Sequence, residues 1–253
     1  MKAISGVVIT FNEEDRIRDC LESLDFLDEI IVVDSNSTDQ TVKIAREYTD
    51  QVYCVDWKGY AISKNYGIDK ARNNWILSLD ADERISASLR QSIIDQNLDL
   101  FSGYWIPRKT FYIDRWIQGG GWYPDRQLRL FNRQNGRFEL TPVHEHVVID
   151  GKVGNLQGDI LHYSYRNISD HVNRIDKYTS LISEKWIADN RKVTPGKMIL
   201  RTGWEFIRSL IFRKGFRDGQ TGVVMAGMHA FYTFLKFAKT LEKQTTLPSD
   251  SEN

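Results

Sequence analysis

The first 80 residues alternate between short apolar runs and helical patterns, and this alternation restricts the possible fold more than any other feature. Apolar residues at helical spacing, such as Ile17, Cys20 and Leu24, lie between the runs. Strands that alternate with helices in this way predict an α/β protein with a doubly wound, mainly parallel sheet. The predicted strands are residues 4–10, 29–34, 51–55 and 75–80.

Polar residues stand at the carboxyl ends of three of these runs, namely Thr10, Asp34 and Asp80. Ligands of doubly wound sheets bind beyond the carboxyl ends of the strands, so we expect these residues to share one binding rim. The chain has no GxGxxG after the first run and no GxxxxGK[ST] anywhere. The usual dinucleotide-binding and P-loop interpretations therefore lack their main support.

The stretch from Trp75 to Glu83 places three carboxylates directly after a buried run. Asp80 and Asp82 would point to one face of an extended chain, where a divalent cation would relieve their repulsion. Alternatively, these acids cap a helix expected over residues 85–98. The residues alone leave both interpretations open, and Glu83 is assigned to the helix start without a chemical role.

The second half of the chain changes character twice. Residues 101–168 are β-rich and aromatic, with hairpin turns expected at Asn135-Gly136 and Asp150-Gly151, and the pattern is helical from Ser169. We therefore expect a first domain whose halves are residues 1–100 and 101–168. A helical C-terminal region over 169–244 and a disordered tail over 245–253 would follow.

The C-terminal region is basic. Residues 196–244 contain nine Lys or Arg against three Asp or Glu. Residues 219–235 are uncharged, but Gln220 and His229 and the short length argue against a bilayer span. Basic and aromatic residues in such a pattern are typical of an amphipathic helix on an anionic membrane surface. A helical cap with solvated Lys and Arg is the alternative.

Overall composition excludes several classes of protein. A formal net charge of zero over 253 residues argues against a nucleic-acid binder. Cys20 and Cys54 form no CxxC pair and are too few for a disulfide framework, which predicts reduced thiols. Because no signal-peptide layout follows Met1, we expect a cytoplasmic protein, with a peripheral position on the inner face of the cytoplasmic membrane left open.

Four segments, in this order, resemble the inverting glycosyltransferases of family 2. The resemblance covers about the first 100 residues and implies the nucleotide-diphospho-sugar fold called GT-A. Residues 1–100 would then be the nucleotide-sugar half and residues 101–168 the acceptor half of a catalytic domain. The segments are Val-Ile-Thr-Phe-Asn-Glu-Glu (8–14), Val-Val-Asp-Ser-Asn-Ser-Thr-Asp (32–39), Lys-Asn-Tyr-Gly (64–67) and Leu-Asp-Ala-Asp-Glu (79–83).

Later segments resemble a bacterial subgroup of this family. Its members include glucosyltransferases that add β-linked glucose to heptose in the lipopolysaccharide inner core, and it also resembles enzymes with peptide or other acceptors. The chain lacks the Gln-x-x-Arg-Trp signature of processive synthases, which implies transfer of one sugar per encounter. These segments are Pro-Asp-Arg-Gln-Leu-Arg-Leu-Phe (124–131), Val-His-Glu-His (143–146) and Leu-His-Tyr-Ser-Tyr (161–165).

The resemblance implies a donor such as UDP-glucose and assigns residues to it. Asp34 would bond the nucleobase, expected to be uracil, while Glu13 and Lys64 would hold the nucleoside. Thr10 and Asn12 belong to the same donor-binding rim. A sugar nucleotidyltransferase would instead carry a Gly-rich, basic segment after the first strand, where this chain is acidic. A non-catalytic sugar-nucleotide-binding membrane scaffold is the alternative from another class.

The resemblance also implies a metal ion, Mn²⁺ or Mg²⁺. Asp82 would ligate it, and Asp80 would face the ribose or a metal-bound water. His162 resembles the position from which many such enzymes supply a histidine to the metal. A single His on an apolar strand is more often a core residue, which weighs against this resemblance, so both interpretations of His162 stay open.

Glu145 is the candidate general base. It lies between two histidines and two valines, surroundings that could move the pKa of its carboxyl toward neutrality. An ordinary strand glutamate paired with an arginine is the alternative. Arg126 and Arg129 are three residues apart, so on a strand at most one of them should reach the diphosphate. We expect it to be Arg126.

Overall fold

The computed structural model describes residues 2–140 and 146–246. Two compact units make up the chain. The first contains Met1–Lys109 and Pro124–Ser164, and the second contains Thr110–Tyr123 and Tyr165–Asn253. Residues 110–123 thus join the unit that holds the C-terminal helices.

A four-stranded parallel sheet forms the start of the first unit, in the order β3-β2-β1-β4. Alternate residues of β1 face opposite sides: Val8 packs in one apolar cluster and Val7 in another. Each such buried side chain contributes about 1.5–3 kcal/mol to folding. This sheet confirms the strand pattern expected from the sequence. Its strands are β1 (Ile4–Thr10), β2 (Glu29–Asp34), β3 (Val52–Cys54) and β4 (Trp75–Asp80).

Helices cover both faces of this sheet. Residues from α1 and α4 join the apolar cluster of Val8, whereas residues from α3 join the cluster of Val7. The helix expected from residue 85 begins later, because residues 83–85 are a strand and Ser86 caps the helix by accepting a hydrogen bond from the Leu89 amide. The helices are α1 (Ile17–Glu22), α2 (Thr41–Ala45), α3 (Tyr60–Lys70) and α4 (Ala87–Asp95).

Beyond β4 the sheet continues in the order β8-β6-β12-β5. The pairs β4·β8, β8·β6 and β12·β5 are antiparallel. The hairpin expected at Asn135-Gly136 is not formed, because β9 pairs with β10 rather than with β8. The hairpin expected at Asp150-Gly151 is not formed either, because β11 pairs with β6 and not with β10. The strands are β5 (Glu83–Ile85), β6 (Gly103–Tyr112), β7 (Arg115–Trp116), β8 (Asp125–Asn132), β9 (Gly136–Phe138), β10 (Val147–Ile149), β11 (Val153–Asn155) and β12 (Ile160–His162).

The second unit is mainly helical. Its long helix α7 packs against α5 and α6, and the short strand β7 pairs with the end of β6. No helix within residues 2–140 and 146–246 is long and apolar enough to cross a bilayer. The elements are α5 (Ile168–Ala188), α6 (Pro195–Ile207), a π-helical turn (Arg208–Phe212), a 3₁₀ turn (Gly215–Asp218) and α7 (Gly219–Thr246).

Candidate donor and metal site

The carboxyl ends of β1, β2 and β4 lie side by side. Thr10 is in register with Asp34, and Ile9 is in register with Asp80. Asp34 is fully buried, and its carboxylate accepts hydrogen bonds from the amide and the hydroxyl of Ser37. The buried Thr10 hydroxyl has no hydrogen-bond partner. The expected rim therefore exists, and its carboxylate is already oriented by the turn that follows β2.

The loop after β1 is tied to the loop after β2. The Asn12 amide donates to the Ser37 hydroxyl, the Thr38 amide donates to the Asn12 side chain, and the Glu13 amide donates to the Thr41 hydroxyl. Asn12 adopts a left-handed backbone conformation with φ of 52°. The first helix begins only at Ile17, so Asn12 lies in the loop before it. Asn12 and Glu13 belong to the loop that borders the rim.

The Lys-Asn-Tyr-Gly segment connects α3 to three parts of this unit. The Lys64 ammonium lies 3.0 Å from the Asp80 carboxylate, with the side chain of Lys64 almost fully buried. The Asn65 amide group donates to the Phe138 carbonyl and accepts from the Phe138 amide, which fixes β9. A Cβ atom at Gly67 would collide with Val7. The segment therefore joins the end of β4, the strand β9 and the surface of the sheet.

Asp80 is held between two cations. Its carboxylate oxygens lie 3.0 Å from Lys64 Nζ and 3.0 Å from Arg129 Nη2. Burial alone would raise the pKa of the Asp80 carboxyl, but Lys64 and Arg129 outweigh burial and hold that pKa well below its usual range. Asp80 is consequently ionised at neutral pH, with its charge balanced inside the protein.

Glu83 was expected at a helix start, but it is the first residue of β5 and its buried carboxylate joins several groups of the site. Its carboxylate is completely buried and accepts hydrogen bonds from the Asp80 amide, Arg108 and Arg129 at 3.0, 3.0 and 3.2 Å. Arg108 also donates two hydrogen bonds to Asp125. The sequence signal for this role was the set of three acids after one buried strand, which requires nearby cations.

The structure brings Arg129 to the acidic cluster and leaves Arg126 outside it. Because β8 runs antiparallel to β4 with Leu130 opposite Leu77, Arg129 lies beside the end of β4. Its side chain is 5% exposed, and its Nε and Nη1 atoms have no hydrogen-bond partner. Arg126 is exposed and donates to the Asn155 side chain. The spacing argument for a single inward arginine therefore agrees with the geometry, with Arg129 in that position.

Asp82, in the turn just before β5, lies beside His162, the last residue of β12. The pairing of β5 with β12 places His162 opposite Glu83, and the Tyr163 amide donates to the Asp82 carbonyl. His162 Nε2 lies 3.4 Å from Asp82 Oδ2, and both side chains are about 15% exposed. The structure therefore offers one carboxylate oxygen and one imidazole nitrogen at a single point near the surface.

This pair fits a divalent cation. Two ligand atoms on adjacent vertices of an octahedron with bonds of about 2.1 Å are separated by about 3 Å, close to the observed distance. Mn²⁺ and Mg²⁺ accept such mixed ligands and keep positions for water and phosphate oxygens. The parts of the chain that the structure describes contain no group of three or more His, Cys, Asp or Glu side chains that could hold a metal. Asp80 therefore does not form a three-residue metal-binding group with Asp82 and His162.

Glu145, the candidate base, lies outside the described residues, as do its neighbours at positions 141–144. On either side of these residues, β9 and β10 pair with each other and the Glu139 amide donates to the His146 carbonyl. Asn65 in turn anchors β9 to α3. Both ends of the segment that carries Glu145 are therefore held by the first unit.

The known proteins whose sequences are similar to this chain are glycosyltransferases. Residues 5–135 match the family model for Glycosyl transferase family 2. The lipopolysaccharide core biosynthesis glycosyltransferase LpsC of Rhizobium meliloti is 31% identical over 95% of this chain and 92% of its own length. An uncharacterized glycosyltransferase of Rickettsia typhi is also 31% identical, over 99% of this chain and 92% of its own length.

The fold of the chain is similar to that of a solved structure. The mannosyltransferase PcManGT from Pyrobaculum calidifontis, solved in complex with GDP-Man and Mn²⁺, superposes with a TM-score of 0.50. The two sequences are 15% identical, and the match covers 98% of this chain and 76% of that chain. The GT-A type of fold expected from the sequence is confirmed.

Proposed function

Because this chain belongs to glycosyl transferase family 2, we propose that it is a metal-dependent, inverting hexosyltransferase of lipopolysaccharide core synthesis. By this proposal it moves one glucose from UDP-glucose to a heptose of the inner core. The observation that carries the proposal is the set of Asp34 at the end of β2, Asp80 at the end of β4, and Asp82 beside His162 just beyond β4.

The nucleotide would bind at the loops after β1 and β2. The Asp34 carboxylate is oriented by Ser37 and can accept a hydrogen bond from a ring N–H, such as that of uracil. Thr10, Asn12 and Glu13 line the same loops, and Lys64 would approach the nucleoside from α3. Lys64 and Arg129 already neutralise Asp80, which supports a role for Asp80 in orienting the ribose instead of binding the metal.

The leaving diphosphate needs positive charge. Asp82 and His162 would hold Mn²⁺ or Mg²⁺, which when bound supplies that charge to the diphosphate oxygens. A carboxylate and an imidazole leave the remaining positions to water and the donor, as suits both ions. The proposal therefore assigns Asp82 and His162 to the metal and Asp80 to the edge of that site.

The transfer itself requires a base on the acceptor side, and we assign that role to Glu145. Its carboxylate would take the proton of the acceptor hydroxyl while the acceptor oxygen forms a bond to the anomeric carbon. The bond between that carbon and the diphosphate oxygen breaks, UDP leaves with the electron pair, and the anomeric configuration inverts.

Support for the acceptor comes from the similarity to LpsC. That protein is named for lipopolysaccharide core biosynthesis, and the match extends over 95% of this chain, including the second unit. A family-2 enzyme with a peptide or different glycan acceptor, and a non-catalytic sugar-nucleotide-binding membrane scaffold, are the competing proposals.

The test is a panel of nucleotide sugars with a heptose-terminated lipopolysaccharide core as acceptor, in Mn²⁺ or Mg²⁺. We expect UDP release with UDP-glucose and a product heavier by one hexose in mass spectrometry. Product with peptide acceptors alone would replace the acceptor assignment. UDP binding without turnover on any acceptor would support the scaffold and overturn the enzyme proposal.

The base assignment has its own test. Glu145→Gln should abolish transfer while the affinity for UDP-glucose stays unchanged, since the substitution keeps the shape and removes the proton acceptor. Glu139→Gln is the matched control, because Glu139 lies on the same connection and its side chain is 50% exposed. Transfer by the Glu145→Gln enzyme at the rate of the control would show that Glu145 is not the base.

A further inference from the structure

The segment from α6 through the 3₁₀ turn presents large apolar side chains to solvent. Helix α6 packs against α7 on one side, yet none of its residues is buried, and most of its apolar side chains are open to solvent. The most exposed are Leu200 at 74%, Ile199 at 67% and Phe212 at 65%. Phe216, Ile211, Trp204 and Ile207 follow at 58%, 56%, 47% and 44%.

These side chains belong to one face. Ile199, Gly203 and Ile207 are separated by four residues each, and Leu200 and Trp204 follow the first two by one residue. With 3.6 residues per turn this spacing forms a single stripe along α6. The π-helical turn that follows leaves Ile211 and Phe212 exposed as well. The rings of Trp204 and Phe212 lie 5.4 Å apart between their centroids, so the apolar surface of α6 continues onto this turn.

The turns that carry Phe212 and Phe216 are firmly anchored. The Asp218 carboxylate is buried and accepts hydrogen bonds from the Gln118 and Gly119 amides at 3.0 and 2.7 Å. A side chain at Gly222 would collide with the Gly215 carbonyl, so α7 and the 3₁₀ turn are in close backbone contact. The outward position of the two phenylalanines is thus imposed by the packing beneath them.

Uncompensated positive charge borders this surface. Lys197 and Arg201 lie on α6, and Lys214 and Arg217 lie on the turns; none of the four forms an ion pair within residues 2–140 and 146–246. Glu205, the acid of α6, is already paired with Arg208 and Arg213. The border therefore attracts anions, whereas the centre is apolar and aromatic.

We infer that residues 195–217 form a docking surface for an anionic lipid bilayer, with Leu200, Trp204 and Phe212 inserted at the level of the headgroups. Apolar residues flanked by Lys and Arg, with Trp at the boundary, are the signature of a helix that lies in the membrane interface. A two-fold dimer through the same surface is disfavoured, because it would bring the cationic borders of two copies together. The inference does not depend on which donor or acceptor the enzyme uses.

Vesicle flotation of the full chain tests this inference. Vesicles of neutral phosphatidylcholine are compared with vesicles that contain phosphatidylglycerol, at low and high salt. We expect binding to the anionic vesicles that weakens as salt rises, since the electrostatic attraction is screened. Replacing Leu200 and Phe212 together by Gln should weaken binding about tenfold or more, because affinity scales with the apolar area inserted. Lys197→Glu with Arg201→Glu should weaken binding to anionic vesicles by a similar factor.

Matched controls come from the first unit. Leu100 is 60% exposed and Lys58 is exposed, so Leu100→Gln and Lys58→Glu should leave vesicle binding unchanged. Circular dichroism of every variant checks that the fold is intact. Absence of binding by the native chain, or equal binding by the Leu200→Gln/Phe212→Gln variant, would overturn the inference. Sedimentation showing a native dimer that this variant dissociates would assign the surface to self-association.

Discussion

His162 Nε2 and Asp82 Oδ2 lie 3.4 Å apart because the short strand β5 pairs antiparallel with β12. Neither residue would be placed by the parallel sheet alone, since both follow the point at which the sheet changes direction. Of the two ring nitrogens of His162, Nε2 lies on the side of Asp82 and is the one placed to share a ligand with it, whereas Nδ1 is buried without a hydrogen-bond partner. The candidate site thus draws on two parts of the sheet: the parallel strands β2 and β4 supply Asp34 and Asp80, and the turn before β5 with the end of β12 supplies Asp82 and His162.

Removing either member of this pair should weaken metal binding. For Asp82→Asn and for His162→Gln we expect the affinity for Mn²⁺ in the presence of UDP to fall about tenfold or more, because each variant removes one of the two protein ligands of the proposed site. Isothermal titration of Mn²⁺ into the UDP complex measures this, and a chelator should abolish transfer until Mn²⁺ is restored. His146→Gln, at an exposed histidine, serves as the control. Unchanged Mn²⁺ affinity in both site variants would refute the two-ligand arrangement.

Arg129 should be important for stability. Arg129→Met would leave Glu83 completely buried with one cation fewer and would remove one of the two partners of Asp80. Breaking a buried ion pair in this way costs about 3–5 kcal/mol in the free energy of unfolding. Arg126→Met, at an exposed arginine of the same strand, should change it by less than about 0.5 kcal/mol. Urea unfolding compares the two, and equal stabilities would contradict this role of Arg129.

The sequence predicted the parallel strands and the rim because those features depend on local patterns. Apolar runs that end in Thr10, Asp34 and Asp80 suffice, since the ends of parallel strands share one edge of a sheet. The cation partners of Glu83 are different in kind. Arg108 and Arg129 lie 25 and 46 residues away along the chain. Which arginine reaches the cluster depends on the register of β8 against β4, which side-chain periodicity does not define.

A similar limit applies to α5. The apolar residues Val172, Ile175 and Tyr178 recur at helical spacing along it, but Tyr178 is 44% exposed. The residues that the helix buries include the small polar Thr179 and Ser183, whose hydroxyls donate to carbonyls of their own helix. Because such residues satisfy their polar groups locally, they can line a helix contact without being apolar. Periodicity of apolar residues alone does not detect that face.

Adding a side chain at Gly67 should lower the stability of the protein. A Cβ atom there would overlap Val7 and lie 3.0 Å from Val33, both of which belong to the packed sheet. We expect Gly67→Ala to destabilise the protein by about 1–3 kcal/mol, the usual cost of overpacking. In contrast, Gly203→Ala in α6 meets nothing within 4 Å and should stabilise by about 0.5–1 kcal/mol through helix propensity. Denaturant unfolding of both variants, in the absence of lipid, measures the difference, and a neutral Gly67→Ala would contradict the close packing of α3.

The second unit should lose stability in mild acid because of His171. This imidazole is buried, its Nδ1 lies 2.8 Å from the Tyr112 hydroxyl, and burial, with smaller contributions from His229 and Arg174, lowers its pKa from 6.5 to about 4. Between these two pH values the unfolded chain binds more protons than the folded chain, so stability rises with pH across that window. The contribution of the neutral imidazole to stability is fully present above pH 6.5 and is lost as pH falls toward 4, with a total effect of about 3 kcal/mol.

Hydrogen exchange of the α5 amides, corrected for the intrinsic effect of pH, reports this opening free energy directly. His171→Gln should flatten its dependence between pH 4 and 6.5. Some slope should remain, because burial also lowers the pKa of His229, whose ring accepts a hydrogen bond from the Trp122 indole. His146→Gln, at an exposed position in the first unit, should leave the slope of α5 unchanged. A slope in His171→Gln equal to that of the native chain would show that another group, and not His171, couples this unit to pH.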